Sequence, residues 1–90
     1  MAQNVSITLQ NTDEGRAIAA AILSDNPAAT VASMPSLTKI DCPGRLEIRR
    51  DSVEMQLGRD YDLQELQLSL ISLAGNVDED DERIVIAWKN

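Results

Sequence analysis

Histidine and phenylalanine are both missing from this 90-residue chain, and cysteine, tyrosine and tryptophan each occur once. Without histidine the chain has no Ser-His-Asp or Cys-His catalytic set, no common zinc site and no histidine-ligated iron. Tyr61 and Trp88 alone cannot build a platform on which nucleotide bases stack. The four glycines are scattered, so no glycine-rich phosphate loop is present. The residues therefore predict neither a catalytic set nor a cofactor site.

The single cysteine, Cys42, excludes an internal disulfide and is typical of a reducing cytoplasm. It enters a Pro-Gly turn without a second cysteine to resolve a redox intermediate, so a small turn residue is favoured over a reactive thiol. The first residues lack the basic segment and apolar core of a signal peptide. No apolar run approaches the roughly 18–20 residues of a membrane span. We expect a cytoplasmic protein without a membrane segment.

The charge is concentrated in one place. The net charge is −7, and the five consecutive acids of residues 78–82 supply −5 of it. Nucleic acid is not expected as a partner, because phosphate binding needs a basic surface. The composition, 43% hydrophobic and 26% charged, is that of a globular protein. We expect one domain, residues 1–90, with a modest core and little room for a deep substrate cavity.

The first half of the chain predicts a strand, a helix and two short strands. Apolar and polar residues alternate in "NVSITLQ", which is typical of a strand. An apolar stripe from Ile18 to Leu23 then has the period of a helix. Asn11 and Glu14 predict a capping box at the start of this helix, and Pro27 predicts its end. The segments "TVASM" and "LTKID" are the two short strands.

The next segment, "DCPGRLEIRR", has Pro43 and Gly44 at the central positions of a type II turn, which predicts a hairpin. The segment "DSVEMQLG" predicts a two-turn helix that Asp51 and Glu54 cap and Gly58 closes.

The segment "LQLSLISLAGNV" fits both a helix and a strand. We expect a short helix, capped by Asp62 and Glu65, to about Gln67, followed by a strand from Leu68 to about Asn76. A strand there gives the final strand, "RIVIAW", an antiparallel neighbour, with the acidic run as the turn. The predicted class is α+β: a compact single domain of order β-α-β-β followed by β-α-α-β-β, with antiparallel hairpins.

The acidic run does not fit a calcium-binding EF-hand loop, which needs glycine at the sixth position and glutamate at the twelfth. A loop that starts at Asp78 has Arg83 and Lys89 there, and a start at Asp80 puts an apolar residue at the fifth position. A solvated turn is therefore favoured over a metal site. A small acidic ligand- or metal-sensing binding module is the alternative function.

Two exposed segments are left for an interface. The segment "GRDYDLQEL" joins two short helices, and "ISLAGN" places Gly75 within or at the end of a strand. Glycine in a strand allows close approach of another backbone, which suits an interface. It equally suits a bulge before the hairpin turn, and the residues alone leave both open.

The segments "DNP", "RLEIRR", "LGRDYDLQEL" and "LISLAGNVDEDDE", in this order, resemble the effector subunit of bacterial multicomponent phenol hydroxylases. These subunits belong with the regulatory proteins of toluene and methane monooxygenase. The resemblance runs from Leu9 to Trp88. It implies a cofactor-free, non-catalytic regulatory subunit that binds the large hydroxylase, whose carboxylate-bridged di-iron centre activates oxygen. It also implies an effect on turnover, coupling and regiospecificity in the hydroxylation of aromatic compounds, with competition against the reductase for one surface as a further expectation.

The resemblance also implies which residues bind the partner. In the methane monooxygenase relative, the segment that matches 71–75 lies over the hydroxylase active site. Ile71 and Leu73 are expected at the centre of the interface; that relative has small polar residues there, so a gating role tied to their size is not transferred. The relative's extended tails have no counterpart here. The expected partner-binding residues are Arg59, Gln64, Ile71, Ser72, Leu73, Gly75 and Asn76.

Overall fold

A computed structural model describes residues 3–88 of the chain. The elements follow in the order β1 (Asn4–Gln10), α1 (Asp13–Asp25), β2 (Thr30–Ser33), β3 (Leu37–Pro43), β4 (Arg45–Arg49), α2 (Arg50–Leu57), a 3₁₀ turn (Leu63–Glu65) that continues into α3 (Leu66–Ser69), β5 (Leu70–Ala74), β6 (Asn76–Glu79) and β7 (Arg83–Ala87).

The strands between residues 3 and 88 form two antiparallel sheets. The first sheet has the strand order β2-β3-β1-β5, and the second sheet has the order β4-β7-β6. The β2–β3 and β6–β7 pairs are hairpins, which confirms the predicted α+β class with antiparallel hairpins. The sequence predicts one strand fewer, because it treats β5 and β6 as a single strand.

The alternation in β1 places one face of the strand in the core, as expected. Val5, Ile7 and Leu9 on that face are completely buried. Complete burial of such side chains stabilises the fold by roughly 1.5–3 kcal/mol each. Helix α1 lies against α2 and β4, so both sheets share one core with the helices. The core also contains Ile18, Ile22, Ile40, Leu46, Ile48, Val53, Ile84 and Ile86.

The hairpin predicted at Pro43-Gly44 is wrong. Strand β3 pairs with β1 and β2, whereas β4 pairs with β7, so the chain passes here from the first sheet to the second. Gly44 has a φ of 75°, and its N–H donates to the carbonyl of Gln3 at 2.9 Å. A Pro-Gly pair predicts a sharp change of direction, but it does not determine which strand the following residues will join.

The single strand expected from Leu68 to about Asn76 is divided in two at Gly75. Strand β5 pairs with β1 and β6 pairs with β7, so the chain changes sheets a second time. Gly75 has a φ of 140°, and a Cβ there would lie 2.5 Å from Cγ2 of Ile86 and 3.2 Å from Cγ1 of Val5. Strand β7 does have an antiparallel neighbour, as predicted. That neighbour is β6, whose last two residues belong to the acidic run.

Three predicted helix boundaries are confirmed. Asp62 and Glu65 form a complete capping box, in which each side chain accepts a backbone N–H from the other end of the turn. Gly58 ends α2 in the left-handed conformation and donates to the carbonyl of Glu54 at 2.8 Å. Helix α1 ends at its C-cap, Asn26, directly before the proline.

Two predicted capping boxes are wrong. Thr12, not Asn11, caps α1, and the carboxylate of Glu14 pairs with residues far away in the sequence. Helix α2 begins without a side-chain cap. Asp51 accepts from the backbone N–H of Ser52 and from the guanidinium of Arg49, and Glu54 accepts the N–H of a residue beyond the end of the helix. Both glutamates hold tertiary structure together instead of the first turn of a helix.

Candidate protein-binding surface

Strand β5 forms one edge of the first sheet, with β1 on one side only. Ser72 is paired with Thr8, and Leu70 is paired with Leu9, so Ile71 is the extra residue of a β-bulge. A bulge twists the strand and re-aims the side chain that it displaces. The Ile71 side chain is 48% exposed, which is a large fraction for isoleucine. This edge of the sheet therefore carries an exposed apolar side chain.

Leu73 does not share the position of Ile71. Its pairing with Ile7, which is completely buried, puts Leu73 on the core face, where it is half-buried and packs against the core. Ser72 is exposed and is paired with Thr8, on the opposite face of the sheet. The two apolar residues expected together at the centre of the interface are thus divided, with Ile71 outward and Leu73 supporting the strand from beneath.

Leu68 is an exposed apolar residue that is not among the expected partner-binding residues. It lies in α3, three residues before Ile71, and is 73% exposed. The residue before it is an exposed glutamine, and the residue after it is the buried Ser69. One feature of the sequence could have identified it. The apolar residues of this segment follow neither a helix period nor a strand period throughout, so one of its leucines cannot be buried. We call Leu68, Ile71 and Ser72 the β5 surface.

Gly75 and Asn76 lie where β5 ends and β6 begins. Gly75 is half-buried, and the absence of a side chain is required by the core residues next to it. Of the two interpretations left open for this segment, the bulge is present, but at Ile71 and not before the hairpin turn. Asn76 is exposed and is paired with Ala87. Of these two residues, Asn76 is the one that a partner can reach.

Arg59 lies between α2 and the 3₁₀ turn, and its guanidinium is engaged by the protein itself. Nη2 donates to Oε1 of Glu14 at 2.6 Å, and Nη1 donates to the carbonyl of Asp60 at 3.0 Å. The guanidinium carbon is 5.8 Å from the ring centroid of Tyr61, within the range of a cation–π contact. Gln64, by contrast, is an exposed residue of the 3₁₀ turn. Arg59 is therefore an expected partner-binding residue that is exposed but already paired within the protein.

Tyr61 is 3% exposed, and its hydroxyl has no hydrogen-bond partner among residues 3–88. Burial raises the pKa of this phenol well above its ordinary value, and the negative charge of Glu14 raises it further. The ring therefore stays neutral in the folded protein. It contributes apolar packing beneath Arg59.

An open groove of about 890 Å³ lies between the loop of residues 60–65 and the turn of residues 79–82. Its charged lining consists of eight carboxylates and Arg50. Within the described part of the chain, no group of three or more potential ligand residues is placed to hold a metal ion. The groove gives this side of the molecule a strongly negative surface.

The first two acids of the run end β6, and residues 80–82 form the turn into β7. Oδ1 of Asp80 accepts the N–H of Glu82 at 2.8 Å and that of Arg83 at 2.9 Å. These hydrogen bonds, first that of Glu82, lower the pKa of the Asp80 carboxyl. The backbone N–H of Arg50 also donates to the Glu82 carbonyl at 2.9 Å. One of the five acids therefore builds the turn, and its neighbours remain in solvent.

No helix between residues 3 and 88 is long and apolar enough to cross a bilayer.

Known proteins share both the sequence and the fold. Phenol 2-monooxygenase, stimulatory component DmpM, from Pseudomonas sp. (strain CF600), is 47% identical over 90 residues, which is 100% of both chains. A chain in a solved phenol hydroxylase–regulatory protein complex is 42% identical and superposes with a TM-score of 0.91. That match covers 97% of this chain and 100% of the other.

The fold extends to a more distant protein, the regulatory protein B of soluble methane monooxygenase. Its TM-score is 0.76 at 21% identity, over 96% of this chain and 65% of that one. At this identity the likeness concerns the fold alone. The sequence profile of the MmoB/DmpM family matches residues 3–87, which is nearly the whole chain. The chain belongs to the MmoB/DmpM family.

Proposed function

We propose that this chain, residues 1–90, is a regulatory effector domain that binds the di-iron hydroxylase of a phenol or other aromatic monooxygenase. It tunes turnover, coupling and oxygen activation without catalysing a reaction or carrying a cofactor. Full-length identity of 47% to a stimulatory component supports this function. The observation that carries it is the bulged edge strand β5, which aims Ile71 outward on a fold shared with a regulatory protein. We place it in the cytoplasm, where its one free thiol, Cys42, stays reduced.

The effector acts by shifting a population. A protein that binds one conformation of the hydroxylase more tightly than another stabilises that conformation by the difference in binding free energy, and by no more than that difference. No group of the effector has to enter the chemistry. Its contribution is the shape and chemistry of the surface that it presents.

The β5 surface is the centre of the proposed interface. A protein–protein interface of standard size covers roughly 800 Å² of each partner, which is about 15% of this protein's 5472 Å² surface. Ile71 and Leu68 supply the exposed apolar area, and Ser72, which follows Ile71 in β5, is also exposed. Gln64 and Asn76 are at the rim, while Leu73, Gly75 and Arg59 hold the strand and its surroundings in place.

Long-range attraction comes from the acidic side. Residues 78–82 carry five of the negative charges, and the groove beside them adds further carboxylates. A concentrated charge of one sign steers a partner with a basic patch and raises the association rate. The acidic residues therefore act on the rate at which the two proteins meet, before the β5 surface makes contact.

The decisive experiment is steady-state hydroxylation by a purified phenol hydroxylase and its reductase, with and without this chain. The expected result is a higher rate and tighter coupling as the effector is added, then a decline at excess if it competes with the reductase for one surface. The chain alone with phenol, NADH and oxygen gives no product. Unchanged rate, coupling and product distribution with a folded chain contradict the function.

A matched pair of variants tests the surface. Ile71 in β5 and Val31 in β2 are both 48% exposed and lie on strands at opposite edges of the first sheet. Ile71→Asp is expected to raise the half-maximal effector concentration about 100-fold, the range of an interface hot spot. Val31→Asp is expected to leave it within about twofold. Equal effects of the two substitutions contradict the assignment of the β5 surface.

A further inference from the structure

The carboxylate of Glu14 joins two segments that are far from it in the sequence. Oε1 accepts from Nη2 of Arg59 at 2.6 Å, and Oε2 accepts from the hydroxyl of Ser69 at 3.2 Å. The Glu14 side chain is 28% exposed, so these bonds are partly shielded from water. Both oxygens of one side chain near the start of α1 are thus engaged from the other half of the molecule.

Ser69 is the partner that lies next to the β5 surface. It is the last residue of α3, is 3% exposed, and precedes the first residue of β5. Its hydroxyl has a partly buried carboxylate oxygen as its acceptor, and a charged acceptor makes a stronger hydrogen bond than a neutral one. The point at which helix becomes strand is therefore attached to α1.

Arg59 holds the same carboxylate from the other side. It is itself fixed by the carbonyl of Asp60 and by the ring of Tyr61. Its Nη1 is also 4.0 Å from Oε2 of Glu65, the glutamate of the capping box that starts the 3₁₀ turn. The loop, the turn and the helix before β5 are therefore all held relative to Glu14.

The bulge of β5 lies two residues after this attachment. The strand has β1 as a neighbour on one side only, and its pairing shifts by one residue at Ile71. A slip of one residue moves every side chain of a strand to the opposite face. If the helix–strand junction moves, the bulge can be lost, and Ile71 then turns away from the edge.

We propose that Glu14 is a positioning residue, whose carboxylate holds Ser69 and Arg59 so that the β5 bulge presents Ile71 to the hydroxylase before binding. This inference rests on the proposed function and adds to it a device within the effector. Loss of the attachment leaves fewer molecules with the binding-competent strand. The apparent dissociation constant rises by the reciprocal of the competent fraction, while the saturated complex stays the same.

The test compares Ser69→Ala and Glu14→Gln with Asp13→Asn. Asp13 lies in the same turn of α1, is paired with Arg16, and has a side chain that is 99% exposed. The hydroxylation assay gives the half-maximal effector concentration and the rate at saturation. Hydrogen exchange gives the protection of the backbone amides of residues 70–74, and circular dichroism confirms that each variant is folded.

The expected result for Ser69→Ala and Glu14→Gln is a half-maximal concentration about 5–10-fold higher, corresponding to a competent fraction of about 10–20%. The saturated rate stays parental, and the amides of residues 70–74 exchange faster. Asp13→Asn matches the parent in every measurement. The double variant Ser69→Ala/Glu14→Gln is no worse than the worse single variant, because both substitutions break one network.

Parental half-maximal concentrations with parental exchange overturn the inference, as does a lower saturated rate at an unchanged half-maximal concentration. A change in thermal stability alone, with both readouts parental, also overturns it, since that is a purely structural role. If the parent chain fails to stimulate the hydroxylase, the proposed function falls. The exchange measurement then decides by itself whether Glu14 positions β5.

Discussion

The carboxamide of Asn26 pairs with both backbone groups of Glu47. Its Nδ2 donates to the Glu47 carbonyl at 2.8 Å, and its Oδ1 accepts the Glu47 N–H at 3.0 Å. The same Nδ2 donates to the carbonyl of Ile22 at 2.7 Å. The buried Asn26 side chain thus makes the backbone hydrogen bonds that a neighbouring strand would make along this edge of β4.

Asn26→Ala is expected to lower the free energy of unfolding by about 3 kcal/mol, because it leaves several buried backbone groups without partners. Urea denaturation followed by Trp88 fluorescence measures this loss. Ser24→Ala, an exposed change in the last turn of α1, is the control and is expected to alter the value by less than about 0.5 kcal/mol. Equal stability of the two variants would show that water replaces the carboxamide.

Gly75→Ala is expected to cost about 3–4 kcal/mol of stability. The new Cβ would meet side chains of Ile86 and Val5, and the φ of 140° is unfavourable for any residue with a Cβ. Gly58→Ala is the matched control, since its φ is also positive but its surroundings are open. That variant pays only the conformational cost, about 1 kcal/mol. Chemical denaturation measures both losses, and a loss at Gly75 no larger than that at Gly58 would exclude the packing contribution.

Tyr61→Phe is expected to leave stability at pH 7 unchanged within about 0.5 kcal/mol, or to raise it, because the lost hydroxyl has no partner among residues 3–88. At high pH the variant is expected to become more stable than the parent. The folded-state pKa of Tyr61 is raised above its ordinary 10.0, so the unfolded chain loses this proton first. Stability from this group is present below pH 10 and declines above it. Denaturation curves between pH 8 and pH 11 should show that decline in the parent and less of it in the variant.

Neutralising Asp78 and Asp81 tests the steering role of the acidic turn. Both residues are exposed, whereas Asp80 builds the turn and is left in place. Asp78→Asn/Asp81→Asn is expected to slow association with the hydroxylase by about 3–10-fold at low ionic strength, leaving the saturated rate unchanged. Stopped-flow measurements at low and high salt check this, and the two proteins should converge as salt screens the charge. A slower association that persists at high salt would point to a direct contact instead.

The sequence predicts those parts of the fold that local periodicity and capping determine. Alternation in β1, the capping box of Asp62 and Glu65, and the left-handed end of α2 at Gly58 are all set by neighbouring residues. The errors concern pairing. Whether the strand after Gly44 joins the first sheet or the second depends on β7, which lies nearly forty residues further along the chain. Turn chemistry contains no information about that choice.

The candidate site shows the same division. The resemblance directs attention to residues 71–76, but only the strand register shows that Ile71 faces outward while Leu73 packs inward. The exposure of Leu68 follows from the end of α3, which an ambiguous hydrophobic period cannot locate. Arg59 looks like a free surface cation in sequence because its anion, Glu14, is 45 residues away.

The bulge at Ile71 has a consequence for self-association. An unpaired edge strand is a template on which another chain can add a strand, and proteins protect such edges with irregularities and charge. Here the displaced residue interrupts the row of backbone donors and acceptors along β5, and the same stretch of chain continues into the acidic run. A flat copy of the strand cannot match that edge, whereas a partner with a recess for one isoleucine can. The irregularity on which the proposed interface is centred is therefore also expected to disfavour strand pairing between copies of this chain.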